Sequence, residues 1–138
     1  MYTSAAAMQA IFNEHDLIQL TNSGGNSVDT TVLNAVVDRA HDFIDTYLSQ
    51  ATVLPLAQSV IDGSPLPGFA ADVAFYYLYT RGQGATDSAR ERYRDAVRWL
   101  ELYAAGRVSL GAGDAQAPAQ NDTIKIAQGQ SGFNWGGY

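Results

Sequence analysis

The side chains that could do chemistry in this chain are few and widely spaced. The chain has no cysteine, which excludes a disulfide scaffold, a thiolate metal site and a cysteine nucleophile. His15 and His41 lie far apart, and neither belongs to a metal-binding spacing such as a histidine pair at i, i+4. The sequence also contains no phosphate loop and no nucleophile elbow. We therefore expect no enzyme, no metal centre and no cofactor, and we interpret both histidines as structural or exposed.

Three carboxylates share one face of a predicted helix. Asp38, Asp42 and Asp45 follow the spacing i, i+4, i+7, and oxygens in such an array could hold a divalent cation. A solvated helix face accounts for the same spacing more simply. We take the solvated face as the interpretation, with no metal bound.

A second predicted helix combines a basic stripe with an acidic one. An acid precedes each of three arginines by three residues, in the pairs Asp87–Arg90, Glu91–Arg94 and Asp95–Arg98. Such pairs contribute only about 0.2–0.5 kcal/mol each on a solvated helix. The stripe could contact phosphates, but the net charge of the chain is −6, the wrong sign for binding nucleic acid through the whole surface. We expect the stripe to contact a subunit or partner, with nucleic-acid binding as the alternative.

Helical periodicity predicts the elements that position these residues. The predicted helices run from Thr3 or Ser4 to Phe12, from Thr30 to about Gln50, from Pro67 to about Thr80, and from Thr86 or Asp87 to Ala105, with a short helical turn at residues 17–21 after a break at residues 13–16. Asp29 offers an N-cap to the longest helix. The helix from Pro67 is apolar around nearly its whole circumference, which predicts burial on several sides. The prediction is one all-α domain, a small bundle of about four helices.

Two features of this bundle point to contacts. Asp72 is the only charged residue between Pro67 and Thr80, and we expect it to form a buried ion pair with an arginine of the last helix, because an unpaired buried carboxylate is very costly. The alternative is an exposed position on a helix flank. Trp99 and Tyr103 widen the apolar arc of the last helix, so we add them to the arginine stripe as interface candidates.

The chain changes character beyond residue 110. Residues 111–122 are rich in Gly and Ala and predict a flexible linker, and residues 123–138 predict an extended C-terminal arm that begins with a short β segment. Large apolar residues in this arm are typical interface anchors, and they are Ile124, Ile126, Phe133, Trp135 and Tyr138. We expect the arm to leave the helical body, residues 1–110, and to dock on a neighbour. A disordered terminus is the alternative.

Charge is distributed unevenly along the chain. Residues 1–72 hold one arginine and eight acids, a net charge of −7, whereas residues 81–107 hold six arginines and four acids, a net charge of +2. One part of a molecule could therefore dock on the other part of a neighbour.

The first twelve residues lack the basic start of a secretory signal, and the most apolar run, residues 68–79, is too short to span a bilayer. We expect a soluble, intracellular protein without membrane contact.

Several stretches, in the same order and spacing, resemble the Mu-like phage and prophage neck protein family. They are Leu17-Ile18-Gln19-Leu20-Thr21; Ala40 with Ile44-Asp45-x-Tyr47-Leu48; Leu54-Pro55-Leu56; Ala71-Asp72-Val73-Ala74 with Tyr77-x-Tyr79; and Arg92-Tyr93-x-Asp95-Ala96-x-x-Trp99-Leu100 through Gly106 and Leu110. The resemblance implies a helical head-to-tail connector without catalytic activity, repeated as a ring that we expect to be a dodecamer. Its implied partners are the portal protein and a tail or head-closure (stopper) protein, and its implied location is the virion neck, after assembly in the host cytoplasm.

A ring at a DNA exit must let the duplex slide without specific binding. Each arginine that engages a phosphate releases counterions and adds affinity, which would stall ejection. We therefore expect the acidic face of Asp38, Asp42 and Asp45 to line the channel or to form a subunit contact. The alternative function is a helical nucleic-acid-binding or regulatory module that uses Arg90, Arg94 and Arg98.

Deletion of residues 123–138 tests the docking arm. We expect the truncated protein to keep its helical content and cooperative melting, because the predicted helices close a core without the arm, and to lose the attachment of tails to filled heads. Circular dichroism and electron microscopy of particles measure the two effects. Unfolding of the truncated protein, or normal assembly of infectious particles, would contradict the assignment.

Overall fold

The computed structural model describes residues 1–80 and 84–111, and these residues form six α-helices without a β-strand. The helices are α1 (Ala5–Ile11), α2 (Glu14–Thr21), α3 (Thr30–Leu48), α4 (Gln58–Asp62), α5 (Leu66–Tyr79) and α6 (Asp87–Ala104). The all-α prediction is confirmed. The predicted linker, apart from its first residue, and the predicted arm with its five apolar anchors lie outside the described residues.

Polar side chains begin four of these helices by accepting hydrogen bonds from backbone N–H groups two or three residues further on. These N-caps are Ser4 for α1, Asn13 for α2, Asp29 for α3 and Thr86 for α6. Such caps satisfy N–H groups that have no partner within the helix. The predicted break over residues 13–16 was wrong, because Asn13 caps α2 and residues 14–16 form its first turn. Helix α4 was not predicted, since it has only five residues and no side-chain cap.

Helix α5 lies at the centre of the bundle. It packs against α3 and α6 and also contacts α2 and α4. Half of its residues are buried, on more than one side of the helix, and they are Leu66, Ala70, Ala71, Val73, Ala74, Tyr77 and Leu78. A helix that is apolar around its circumference must be covered on several sides, and the prediction of this burial is confirmed.

The loop between α2 and α3 is held by one hydroxyl. Thr21 is buried, and its Oγ1 donates to the carbonyl of Leu17 at 2.7 Å and accepts from the N–H of Asp29 at 3.0 Å. Asp29 in turn caps α3 through its carboxylate. The end of α2 and the start of α3 are therefore fixed to each other by side-chain hydrogen bonds. Of the helices that the structure describes, none is both long and apolar enough to be a candidate membrane span.

Small residues bring the three long helices together. Ala40 of α3, Ala74 of α5 and Ala96 of α6 are each fully buried, and all three belong to one core cluster. Protein cores are close-packed, so a larger side chain at such a position forces its neighbours out of place.

Ala74→Leu is expected to destabilise the protein. The added side-chain volume in the core should lower the free energy of unfolding by about 1–3 kcal/mol, as measured by urea denaturation followed by circular dichroism. Ala10→Leu, at an exposed position of α1, is the control and should change the free energy by less than about 0.5 kcal/mol. Equal effects of the two substitutions would show that α5 is not tightly enclosed.

Candidate interaction site

A groove lined by aromatic and arginine side chains lies between α3 and α6. We call it the aromatic groove, and its volume is ≈ 360 Å³. Helix α3 contributes Phe43 and Tyr47, and α6 contributes Tyr93, Arg94, Val97, Arg98 and Glu101. Residues three and four apart lie on the same side of a helix, so two short runs of sequence suffice to build both walls.

Ring contacts fix the aromatic side chains of this groove. The ring centroids of Phe43 and Tyr47 lie 5.3 Å apart with an interplanar angle of 67°, and those of Phe43 and Tyr93 lie 6.0 Å apart. Tyr76 of α5 stacks on Tyr93 at 4.1 Å. Edge-to-face and offset-stacked pairs add to the energy of area burial, and they hold these rings in place before any partner arrives.

Tyr77 of α5 connects this aromatic cluster to the core. It is buried, and its ring lies 6.3 Å from both Phe43 and Tyr93, centroid to centroid. Burial, followed by the neighbouring Tyr93, raises the pKa of Tyr77 to about 12. The guanidinium of Arg39 lies 4.2 Å from the centre of the Tyr77 ring, a cation–π contact. Arg39 thus adds a third arginine beside the cluster that Arg94 and Arg98 border.

The predicted arginine stripe divides into two parts. Arg90 is half-buried, forms an ion pair with Asp87 at 2.9 Å and donates to the carbonyl of Ala85. Arg94 and Arg98 are exposed, and Arg90–Asp87 is the one ion pair within residues 1–80 and 84–111. The expected pairs of Arg94 and Arg98 with the preceding acids are therefore not formed. Arg94 and Arg98 remain as the charged rim of the aromatic groove.

Tyr103, predicted as an interface residue, belongs instead to the core of its own protomer. It is fully buried and stacks on the half-buried Trp99 at 5.6 Å, and Trp99 also contacts Phe69 at 5.4 Å. The same core cluster contains Tyr2 and Leu110. Residues from both ends of the described chain thus pack around Tyr103 of α6. Only part of Trp99 stays accessible.

The three predicted acidic residues have two different environments. Asp38 and Asp42 are exposed, whereas Asp45 is half-buried and accepts a hydrogen bond from the hydroxyl of Tyr2. We call the exposed pair, Asp38 and Asp42, the acidic flank. In the part of the chain that the structure describes, no group of three or more metal-ligating side chains is gathered in one place.

The N-terminal residues lie beside this acidic flank. The N–H of Thr3 donates to Nε2 of His41 at 3.1 Å, and the ring of Tyr2 meets His41 edge-on at 5.4 Å. Burial, and next the charge of the N-terminal ammonium, lowers the pKa of His41. His41 is a structural residue in this setting. Because the N-terminal residues pack on one side of α3 and α6 packs on another, the acidic flank and the aromatic groove occupy different sides of α3.

The predicted buried ion pair of Asp72 is not formed with a described arginine. Asp72 is half-buried, and no described arginine lies within the 4 Å of an ion pair. Burial raises the pKa of Asp72, Arg92 lowers it in part, and Asp95 raises it further. Asp72 therefore lies near both a cation and an anion of α6, and the two partly cancel.

The aromatic groove itself was not predicted. Tyr47 and Tyr93 lie at helical spacing from core residues of α3 and α6, a pattern that predicts burial, but both side chains are half-buried at the edge of the core. The available signal was the run of Phe43 and Tyr47 at i, i+4 on the side of α3 next to the core positions. It indicates a groove only once the crossing of α3 and α6 is known.

Comparison with known proteins supplies the family. A sequence profile described as "Bacteriophage Mu, Gp36" matches residues 2–128. The chain belongs to the bacteriophage Mu Gp36 family. Among its Gp36 relatives, the Mu-like prophage FluMu protein gp36 of Haemophilus influenzae is 31% identical over 110 residues, which cover 80% of this chain and 74% of the relative. Gene product J of Escherichia phage Mu is 29% identical over 113 residues, covering 80% and 77%. The resemblance to a Mu-like phage family is confirmed.

Asp72→Asn is expected to leave this Gp36 protein as stable as the wild type, or more stable, at pH 7. The pKa of Asp72 is higher in the folded chain than the ordinary 3.8, so the folded state loses stability as the pH rises from about 3.8 through that raised pKa, and Asn removes the loss. Urea denaturation at pH 7 and at pH 3.5 measures it, and the advantage should vanish at the lower pH. Asp38→Asn, at an exposed site, is the control. A loss of about 3 kcal/mol at pH 7 would instead reveal a buried ion pair.

Proposed function

We propose that this protein is a structural component of the virion, the head-to-tail connector of a Mu-like phage or prophage. It forms a ring between the portal protein and a tail or head-closure protein, and DNA passes through the ring. The observation that carries the proposal is that a small helical member of the Gp36 family presents two unlike surfaces, the aromatic groove between α3 and α6 and the acidic flank of α3.

Two unlike surfaces are what a closed ring of identical subunits requires. In a heterologous interface one surface of each copy meets a different surface of the next, and the chain of contacts closes when the rotation between copies allows it. We propose twelve copies per ring, as the resemblance to the neck protein family implies. The ring is assembled in the host cytoplasm and then resides in the neck of the virion.

The charge of the body suits the passage of DNA. Residues 1–72 carry a net charge of −7, and acidic surfaces gain nothing from contact with phosphates, whose binding depends on the release of counterions by cations. Such a surface lets the duplex move without being held. No catalytic role is part of this proposal.

A helical nucleic-acid-binding or regulatory module is the second candidate. The observation that favours it is the exposure of Arg92, Arg94 and Arg98 on α6. Purified protein should then bind duplex DNA with sub-micromolar affinity at physiological salt and lose that affinity steeply as salt is added. The connector requires weak binding even at low salt, so one titration series separates the two candidates.

Inactivation of the gene in an inducible Mu-like prophage tests the connector. A stop codon early in the reading frame should give filled heads and free tails that do not join, because the ring between them is missing, and a plasmid copy of the gene should restore joined, infectious particles. Electron microscopy and plaque counts measure both. Joined particles without the protein would contradict the proposal, and so would the loss of heads or tails themselves.

A further inference from the structure

We propose that the aromatic groove of one copy receives the acidic flank of α3 from a second copy of this chain. The proposal rests on the proposed function, because it names the subunit contact from which the connector ring is built. It commits to one occupant of the groove, a neighbouring copy, and to one surface of that copy, Asp38 and Asp42.

The groove has the composition of a protein-binding surface with a positive rim. Phe43, Tyr47 and Tyr93 are each half-buried, and Arg94 and Arg98 are exposed beside them. Tyrosine and arginine side chains that are partly buried and already ordered carry much of the energy of protein interfaces. Each ring retains accessible area that a second chain can cover.

The charges around the groove favour an acidic occupant. Arg94 and Arg98 line it, and Glu101 is the one acid among its lining residues, so the lining is positive by one charge. Arg39 lies beside it, over the ring of Tyr77. No arginine–acid ion pair of the described residues uses Arg94 or Arg98. Their guanidinium groups can therefore form charge-assisted, bidentate hydrogen bonds with carboxylates of another molecule.

The acidic flank has the complementary properties. Asp38 and Asp42 lie one helical turn apart and are exposed, and the same spacing relates Arg94 to Arg98 on α6. The two carboxylates can thus meet the two guanidinium groups along parallel or crossing helices. Asp45 does not take part in this set, because it accepts the hydroxyl of Tyr2 within its own protomer.

A second copy follows from where the two surfaces lie. The flank and the α3 wall of the groove lie on different sides of the same helix, so a copy cannot bring its own flank into its own groove. Each copy can, however, offer its flank to one neighbour and its groove to another, which propagates head to tail around a ring. Electrostatic complementarity of this kind fixes the partner and the register of an interface.

Charge reversal on each surface tests the contact. The variants are supplied from plasmids to the inducible prophage in which the gene for this protein is inactivated. The groove variant is Arg94→Glu with Arg98→Glu, and the flank variant is Asp38→Arg with Asp42→Arg. Supplied alone, each variant places like charges opposite each other at every subunit contact and should lower the yield of joined particles by about tenfold or more. Supplied together, the variants can alternate around the ring with opposite charges at every contact, and the yield should return to within a few-fold of wild type.

Matched controls and folding measurements accompany these complementations. Arg107→Glu and Asp16→Arg reverse exposed charges away from both surfaces and should support particles like the wild type, and thermal unfolding followed by circular dichroism should show that all variants fold. A further plasmid that carries all four reversals in one chain should also restore joining. Co-expression and the fourfold reversal keep the test valid if one double variant is unstable alone.

Several outcomes would overturn the proposal. If either double variant alone supports joined particles like the wild type, the contact is not the one described. If the groove variant fails and the flank variant functions, another acidic partner or a phosphate backbone occupies the groove. If both fail and co-expression does not rescue them, the two surfaces do not meet. In each case the wild-type plasmid still restores joining, whereas failure of the connector function itself would show as joined particles without any plasmid.

Discussion

The burial of α5 is the constraint on which the rest of this structure depends. A helix with apolar side chains around its circumference cannot lie on a surface, so α3 and α6 must cover it from two sides and the short helices must close the gaps. Ala74 and its counterparts on α3 and α6 allow this close packing. Because α3 and α6 are thereby forced against each other, the side chains at their shared edge form a groove rather than two separate surfaces.

That arrangement divides α3 into sides with different roles. Its core side packs on α5. A second side contacts α6 through Phe43 and Tyr47. A third side contacts the N-terminal residues through His41 and Asp45. Of the three carboxylates of this helix, Asp38 and Asp42 are exposed to solvent. One amphipathic sequence thus produces a core contact, an aromatic wall and an acidic surface, each set by its angle around the same axis.

Local interactions explain which features could be predicted from the sequence. The caps at Ser4, Asp29 and Thr86 are decided within three residues of each helix start. The predicted cap at Asp29 is confirmed, and the observed caps Ser4 and Thr86 each agree with one of the two predicted helix starts, Thr3 or Ser4 and Thr86 or Asp87. The burial of Tyr103 depends on its packing in one core cluster with Tyr2, which lies at the opposite end of the described chain.

Contacts between distant helices also decide the surroundings of the charged residues and the groove, so neither follows from local sequence. The surroundings of Asp72 depend on how α6 is rotated against α5. The groove depends on the same long-range packing. The sequence shows aromatic and arginine residues on each helix, but not that α3 and α6 bring them together. The fold class therefore follows from periodicity and capping, and the candidate site requires the crossing of helices.

The N-terminal ammonium of Met1 donates to Oε1 of Gln58 at 3.1 Å, while Nε2 of Gln58 donates back to the Met1 carbonyl at 3.0 Å. This reciprocal pair attaches the first residue to α4. An affinity tag fused before Met1 would turn the ammonium into a neutral amide with a single N–H, and it would remove a positive charge that lowers the pKa of His41. Tagged protein would therefore protonate His41 more readily, in the region where the N-terminal residues pack against α3.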